Sequence, residues 1–351
     1  MSHTNAPVLG RQTGPSAETN DAAETRNLEE LLRALAARGY RFVPPTPATH
    51  RRVISRPSRR EAVDLRDVFG WSLPFQDTVL DAGILALMQA AGVLQRRGGR
   101  FRSAVRVASL GDRLFLHSPY PPSEDSVFFG PDTYRFVDFL RSEVADRGCP
   151  HRALDFGAGS GVGGIILADL CRPEAVLLAD VNPAALRLAA ANAAFAGVPV
   201  ERVQASDLRD LEGPFDLIVA NPPFIAEAGR TYSDGGGMHG GELSLQWLRA
   251  GAELLAEGGR MLVYTGSAIC SGRDELREAL ARAFGGRDWE LSYREIDPDI
   301  FGEELARPAY RDVERIAAVG IALRRPVSER RRALKEAKAL LGAMMAGAPP
   351  G

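Results

Sequence analysis

The chain has 351 residues, 45% hydrophobic and 25% charged, the make-up of a folded globular protein with one large domain or two smaller ones. Its three cysteines, Cys149, Cys171 and Cys270, have neither metal-ligand nor disulfide-framework spacing, which argues against a disulfide-built scaffold and reads them as structural. No stretch approaches the ~20 apolar residues of a membrane span, and the N-terminus lacks the apolar core of a leader peptide, so a cytoplasmic protein without a membrane segment is expected.

The net charge of −2 is unevenly spread: Glu30 to Leu110 holds fourteen arginines against six acidic residues, a local +8 that leaves −10 elsewhere. Only two lysines occur, Lys335 and Lys338, so arginine usage is partly a compositional habit. The asymmetry between the halves is nonetheless an electrostatic feature.

Residues 1–26 are polar and predict a disordered tail. "LEELLRALAARGY" has helical periodicity that stops at Gly39. After a proline-broken basic stretch, "DTVLDAGILALMQAAGVLQRRGGRFRSAVRVASLGDRLFLHS" predicts a helix, a turn at "RRGG" and two short strands around "LGD". Residues 27–118 therefore predict a small, winged-helix-like N-terminal domain, with a packing or dimerisation role as the alternative to nucleic-acid binding. Residues 119–130 read as a linker.

Beyond it, "RALDFGA", "AVLLADV", "VERVQAS", "FDLIVAN" and "GGRMLVYTG" are apolar strands alternating with helical patterns. That alternation predicts an α/β domain over 131–325, a mostly parallel Rossmann-like sheet covered on both faces. "WELSYREI" and "RIAAVGIALRR" have no helix pattern between them and predict an antiparallel pair at the sheet edge. Residues 326–351 read as a basic helix and tail.

Ligands of open α/β sheets sit beyond the carboxyl ends of the strands. Four such ends carry chemistry here. "LDFGAGSGVGG" offers Gly157, Gly159 and Gly161, where backbone can approach a ligand ahead of a helix N-terminus. Gly159, Gly161 and Gly164 also satisfy the weak G-x-G-x-x-G pattern. Asp180 ends the second strand, nineteen residues after Gly161, and can accept both hydroxyls of a ribose or cap the helix near Pro183. Asp207 follows the third strand and can take an adenine amino group. The fourth strand runs through "LIVANPPFI" and stops at two prolines, which cannot continue a sheet ladder. It thereby presents the Asn221 carboxamide and the Phe224 ring.

With these four ends in order, residues 131 to about 325 resemble a class I S-adenosylmethionine-dependent methyltransferase of the Asn-Pro-Pro-Phe/Tyr group. The resemblance implies S-adenosylmethionine as cofactor and no metal. It implies that Asp155 begins the first loop, that Gly157, Gly159 and Gly161 form it, that Asp180 holds the ribose and that Asp207 lies near the adenine. Asn221, Pro222, Pro223 and Phe224 would form the catalytic corner, with Asn221 also beside the cofactor. "FFGPDTYRFVDFL" resembles the segment over the methionine end of that cofactor. "YSDGGGMHGGELSLQW" is similar to the glycine-rich stretch of release-factor glutamine methyltransferases. The N-terminal part resembles an accessory domain of bacterial relatives.

Members of this group methylate planar NH2 groups, whose nitrogen lone pair is delocalised. The Asn221 oxygen and the Pro222 carbonyl would accept the two hydrogens, and Phe224 would stack on the flat acceptor. An exocyclic amine of RNA, ahead of DNA, is the first expected substrate, with nucleic acid as partner. A protein glutamine amide is the alternative; a small molecule stays open, and the intact corner argues against a non-catalytic cofactor-binding regulator. His239 is a substrate-contact candidate or a solvated loop residue. Asn192 either supports the cofactor loop or sits on a helix surface, and Glu303 and Glu304 are expected in solvent.

Overall fold

The computed structural model describes residues 15–145, 149–226, 232, 234–285 and 289–328. The central sheet runs, in chain order, through β5 (Arg152–Phe156), β6 (Ala175–Asp180), β7 (Glu201–Gln204), β8 (Phe215–Ala220), β9 (Leu255–Cys270), β11 (Glu290–Asp297) and β12 (Arg315–Arg324). The two-residue β10 (Arg273–Asp274) pairs back on β9. The spatial order is β11-β12-β9-β8-β5-β6-β7. The five strands from β5 to β9 pair in parallel, and β12 lies antiparallel to both β9 and β11, as the paired final strands predict.

Helices α5 (Pro131–Val144), α6 (Val162–Cys171), α7 (Pro183–Ala196), α8 (Glu242–Leu254) and α9 (Glu275–Phe284) accompany the sheet. Pro183 stands in the first turn of α7 behind the Asn182 cap, and Gly197 ends that helix at φ +70°. The central strands are buried along almost their whole length because helices cover both faces. The order reverses at β5, whose neighbours are β6 on one side and β8 on the other. The carboxyl ends of these strands at such a switch point are where a ligand crevice is expected, and all four predicted loops lie there.

The N-terminal module contains α1 (Pro15–Ala37), α2 (Pro47–Ile54), α3 (Leu65–Phe69) and α4 (Ala82–Ala90). Helix α1 starts well before Leu28, which corrects the tail reading for residues 15–26; residues 1–14 lie outside the described residues. Two hairpins follow where one is expected. Strand β1 (Leu94–Arg97) pairs with β2 (Arg100–Ser103), and β3 (Arg106–Leu110) pairs with β4 (Arg113–His117). Gly98 and Gly99 both have positive φ, the primed turn that lets "LQRR" fold back on "RFRS". The tail helix predicted over 326–351 lies outside the described residues from 329 onward, and 326–328 are not helical.

The module does not stand apart from the sheet domain. Leu28, Leu31, Leu32 and Leu35 of α1 share one buried cluster with Ala185, Leu188 and Ala191 of α7. Of the cysteines, Cys171 is buried with its thiol on the Leu167 carbonyl, whereas Cys149 is exposed and cannot serve packing.

Candidate active site

The first loop leaves β5 and folds onto the end of β6: the amides of Gly157 and Ala158 both donate to the Ala179 carbonyl, at 2.8 and 3.0 Å. Gly157 has φ +67°, and a Cβ there would lie 2.6 Å from Trp247, so only glycine fits. Gly159 and Gly161 also have positive φ, and Gly161 leads into α6. A methyl group at Gly164 would collide with Leu178, so this third glycine sets the close packing of helix on strand.

Asp155 supports this loop from below. Its carboxylate accepts the Gly164 amide at 2.8 Å and is 2% exposed. Burial pushes its pKa up to about 7, with a smaller contribution from the nearby Asp180 charge. Asp155 therefore anchors the helix N-terminus and does not face the crevice.

Asp180, 1% exposed, accepts the Gly159 amide at 2.8 Å and the Asn182 amide at 2.9 Å. Asn182, not Asp180, caps α7, which decides between the two readings of the sequence. The Tyr232 hydroxyl donates to the carboxylate, 3.1 Å from each oxygen. Desolvation raises the Asp180 pKa. A hydroxyl on both oxygens is the interaction that a ribose diol would make, so the carboxylate fits that role once Tyr232 yields.

Asp207 is differently engaged. It caps a short 3-10 turn, and Arg209 pairs with its carboxylate at 2.5 Å and holds its pKa below the ordinary range. Its side chain is committed locally, and any contact to an adenine would have to displace Arg209.

The corner ends β8. Asn221 is half-buried, and its carboxamide oxygen is fully buried with no hydrogen-bond partner. No donor among the described residues reaches the Pro222 carbonyl. Among the described residues, then, two consecutive residues at this strand end each carry an acceptor with no donor on it. Phe224 departs from expectation: it is 9% exposed, edge-on to Phe301 at 5.5 Å and to Tyr264 at 6.5 Å. Its ring also fills the space over Gly266, where a methyl group would overlap it. The ring is a wall of the corner, with little face left for a wide stacking partner.

Residues from the connection between β11 and β12 complete the corner. Besides Phe301, the buried Tyr310 accepts the Ala226 amide at 2.7 Å and donates to the His239 carbonyl at 3.1 Å. It thereby ties the corner to the glycine-rich stretch. Met238 and His239 there both have positive φ, +53° and +52°, a conformation unfavourable for non-glycine residues. The His239 ring lies 4.0 Å from the Glu275 carboxylate. Glu303 is exposed as expected, but Glu304 is half-buried and pairs with Arg307 at 2.6 Å. Asn192 is fully buried: it accepts the Leu116 amide and donates to the carbonyls of Leu116 and Ser160. It joins β4 of the N-terminal module to the first loop. Phe301 and Tyr310 carried no signal that a sequence pattern could pick out, since each reaches the site from a distant loop, whereas Tyr232 opens the glycine-rich stretch just after the corner.

Among the described residues no group of three metal-ligating side chains converges, and no helix is long and apolar enough to cross a membrane. The strand order, the glycine-rich first loop and the acid at the end of β6 define a class I methyltransferase fold with an acceptor-lined corner. Comparison with known proteins agrees. Residues 136–285 match the family described as methyltransferase small domain. The chain is 34% identical over 157 residues to the release factor glutamine methyltransferase of Deinococcus radiodurans, covering 44% of this chain and 55% of that one. It is 31% identical over 242 residues to the protein of the same name from Bradyrhizobium diazoefficiens, covering 62% and 80%. To the ribosomal RNA small subunit methyltransferase C of Serratia proteamaculans it is 35% identical over 85 residues, 24% of each chain. The chain thus belongs to the S-adenosylmethionine-dependent methyltransferase family of the Asn-Pro-Pro-Phe/Tyr group. It spans about half the length, or less, of the release factor glutamine methyltransferases of Deinococcus radiodurans, Rhodospirillum rubrum and Bordetella pertussis, 55%, 37% and 44%.

Proposed function

We propose that this protein transfers a methyl group to the nitrogen of a planar side-chain amide, a glutamine presented by a protein substrate. The carrying observation is the buried, unpartnered Asn221 oxygen at the end of β8. An acceptor without a donor is costly to bury, and a substrate NH2 group would relieve that cost.

When bound, S-adenosylmethionine supplies an electrophilic methyl group on a sulfonium. Asp180 and the glycine-rich loop from Gly157 to Gly161, where backbone can approach a ligand closely, would hold it. The Asn221 oxygen and the Pro222 carbonyl accept one amide hydrogen each. They draw the nitrogen lone pair out of conjugation and stabilise the positive charge that grows on nitrogen. Phe224, fixed by Phe301 and Tyr264, limits the corner to one orientation of the acceptor and excludes water. Its small exposed edge suits a narrow amide better than a wide base, and the matches over 157 and 242 residues carry the name of a glutamine methyltransferase.

The second reading, an exocyclic amine of RNA, is favoured by one feature. Arg51, Arg52, Arg56 and Arg60 are exposed together on the N-terminal module. The test is transfer from methyl-labelled S-adenosylmethionine to a purified bacterial release factor and, separately, to ribosomal RNA. Label released by protease and mapped to a glutamine supports the amide reading. Label released only by nuclease replaces it with the second.

A further inference from the structure

Six buried side-chain polar atoms among the described residues lack a hydrogen-bond partner, and four of them lie close together, away from the Asn221 corner. They are Nδ1 and Nε2 of His50, Nη2 of Arg106 and Nε2 of His117. The hairpin explains part of the clustering: Arg106 of β3 is the register partner of His117 of β4, so their side chains share one face. His50 comes from α2 and packs 4.4 Å from the Tyr120 ring and 5.2 Å from the Trp71 ring. Exposure is 1% for each histidine and 8% for Arg106.

Arg106 is the anomaly. Its Nε donates to the Gly70 carbonyl at 2.8 Å, and its guanidinium lies 5.9 Å from the Phe42 ring. No described carboxylate comes within ion-pair distance of it. A desolvated guanidinium without an anion is strongly disfavoured, and two neighbouring histidines with unpaired nitrogens add to the demand for an acceptor. A hydrophobic core would need none of the three.

A cavity adjoins the cluster at Tyr120, although none of the three side chains lines it. Of about 290 Å³, it is lined by Arg59, Arg60, Arg102, Ser72 and Tyr120, and Tyr120 is the residue packed on His50. Its size is close to that of a site for a small organic ligand, and Arg60 and Arg102 give its lining positive charge, Arg59 being paired with Asp67.

We propose that Arg106, His50 and His117 form a binding site for a phosphate group, entered through the arginine-lined cavity beside Tyr120. A tetrahedral oxyanion matches the set: it offers several acceptors to donors converging from three elements, and it neutralises the buried guanidinium. Burial lowers the pKa of His50 to about 4 and holds that of His117 well below its ordinary value, so both rings are neutral, and a neutral imidazole carries one N–H. The phosphate is either a free ion or the end of a nucleotide, and the cavity leaves room for the latter. This inference does not depend on which acceptor the methyl group reaches.

The test uses the full chain in phosphate-free buffer, with calorimetry and thermal melting against inorganic phosphate, uridine 5′-monophosphate and sodium acetate at matched ionic strength. Phosphate should bind and raise the melting temperature, and acetate should not. Tighter binding of the nucleotide identifies a nucleotide end as the source, and equal binding identifies the free ion. Arg106→Met and His117→Gln should each weaken phosphate binding by about tenfold or more, the loss of a charge-assisted contact. Should Arg106→Met not fold, Arg102→Gln at the cavity mouth takes its place, with nucleotide binding weakened. The proposal is overturned by a wild-type protein indifferent to phosphate and nucleotide, or by variants that bind them as the wild type does.

Discussion

Replacing Asn221 by alanine should leave the fold intact or slightly more stable while it removes most of the turnover. The Asn221 oxygen is buried and accepts no hydrogen bond, so the folded protein gains nothing from it. Burying an unpaired polar atom costs about 1–3 kcal/mol in mutational series. Asn221 is only half-buried, and its truncation leaves a small void; both reduce the gain. The expected change in folding free energy is therefore between zero and about 1 kcal/mol of added stability. Turnover responds in the opposite direction. One preorganised partner for the charge on the reacting nitrogen is worth about 2.7–4 kcal/mol of barrier, or about 10²–10³ in rate. Cofactor affinity should stay within a few-fold, because Asp180 and the first loop are untouched. Urea denaturation, single-turnover methyl transfer and calorimetry with S-adenosylmethionine read the three quantities separately. A loss of about 2 kcal/mol or more in stability would mean that the carboxamide holds the corner together. Turnover at the wild-type level would remove Asn221 from the chemistry. Either result refutes the reasoning.

Asp180→Ala should weaken S-adenosylmethionine binding by about 1.5–3 kcal/mol, measured by calorimetry, since a charged hydrogen-bond acceptor is lost; an unchanged dissociation constant would take Asp180 out of the site. Tyr310→Phe removes the hydroxyl between the Ala226 amide and the His239 carbonyl, and should cost about 1–2 kcal/mol of stability in urea. Because it loosens the corner, turnover should also fall, and full turnover in the variant would show that this tie is only structural. Asp155 has its pKa raised to about 7 in the folded protein, so its contribution to stability is complete at low pH, below its unfolded value, and is lost as pH rises through 7. Asp155→Asn keeps a neutral acceptor for the Gly164 amide and should flatten that loss; parallel urea midpoints for the two proteins from pH 4 to 8 would contradict it.

The order of strands and helices in the sheet domain, and the strand ends at which Asp180 and Asn221 stand, are legible in the amino-acid sequence. The reason is that these signals are local. Apolar runs too short for helices, glycines where backbone must turn with positive φ, and two prolines that no sheet ladder tolerates act within a few residues of themselves. Helix α1 was missed over residues 15–26 because that segment is polar, and its helical form is continuous with the leucines from Leu28 onward that pack on α7. Whether a side chain at a strand end faces the crevice was not legible. Asp155 and Asp180 are both acids near the first loop, yet one turns under a helix N-terminus and the other receives a hydroxyl from Tyr232. The tertiary structure alone decided what closes the corner and what couples the module to it. Phe301 and Tyr310 come from the far edge of the sheet, Asn192 reaches β4 across 76 residues, and Arg106, His50 and His117 meet from a helix and a hairpin. Such partners are chosen by packing between distant segments, and a buried atom with nothing to bond to becomes visible only once its neighbours are in place.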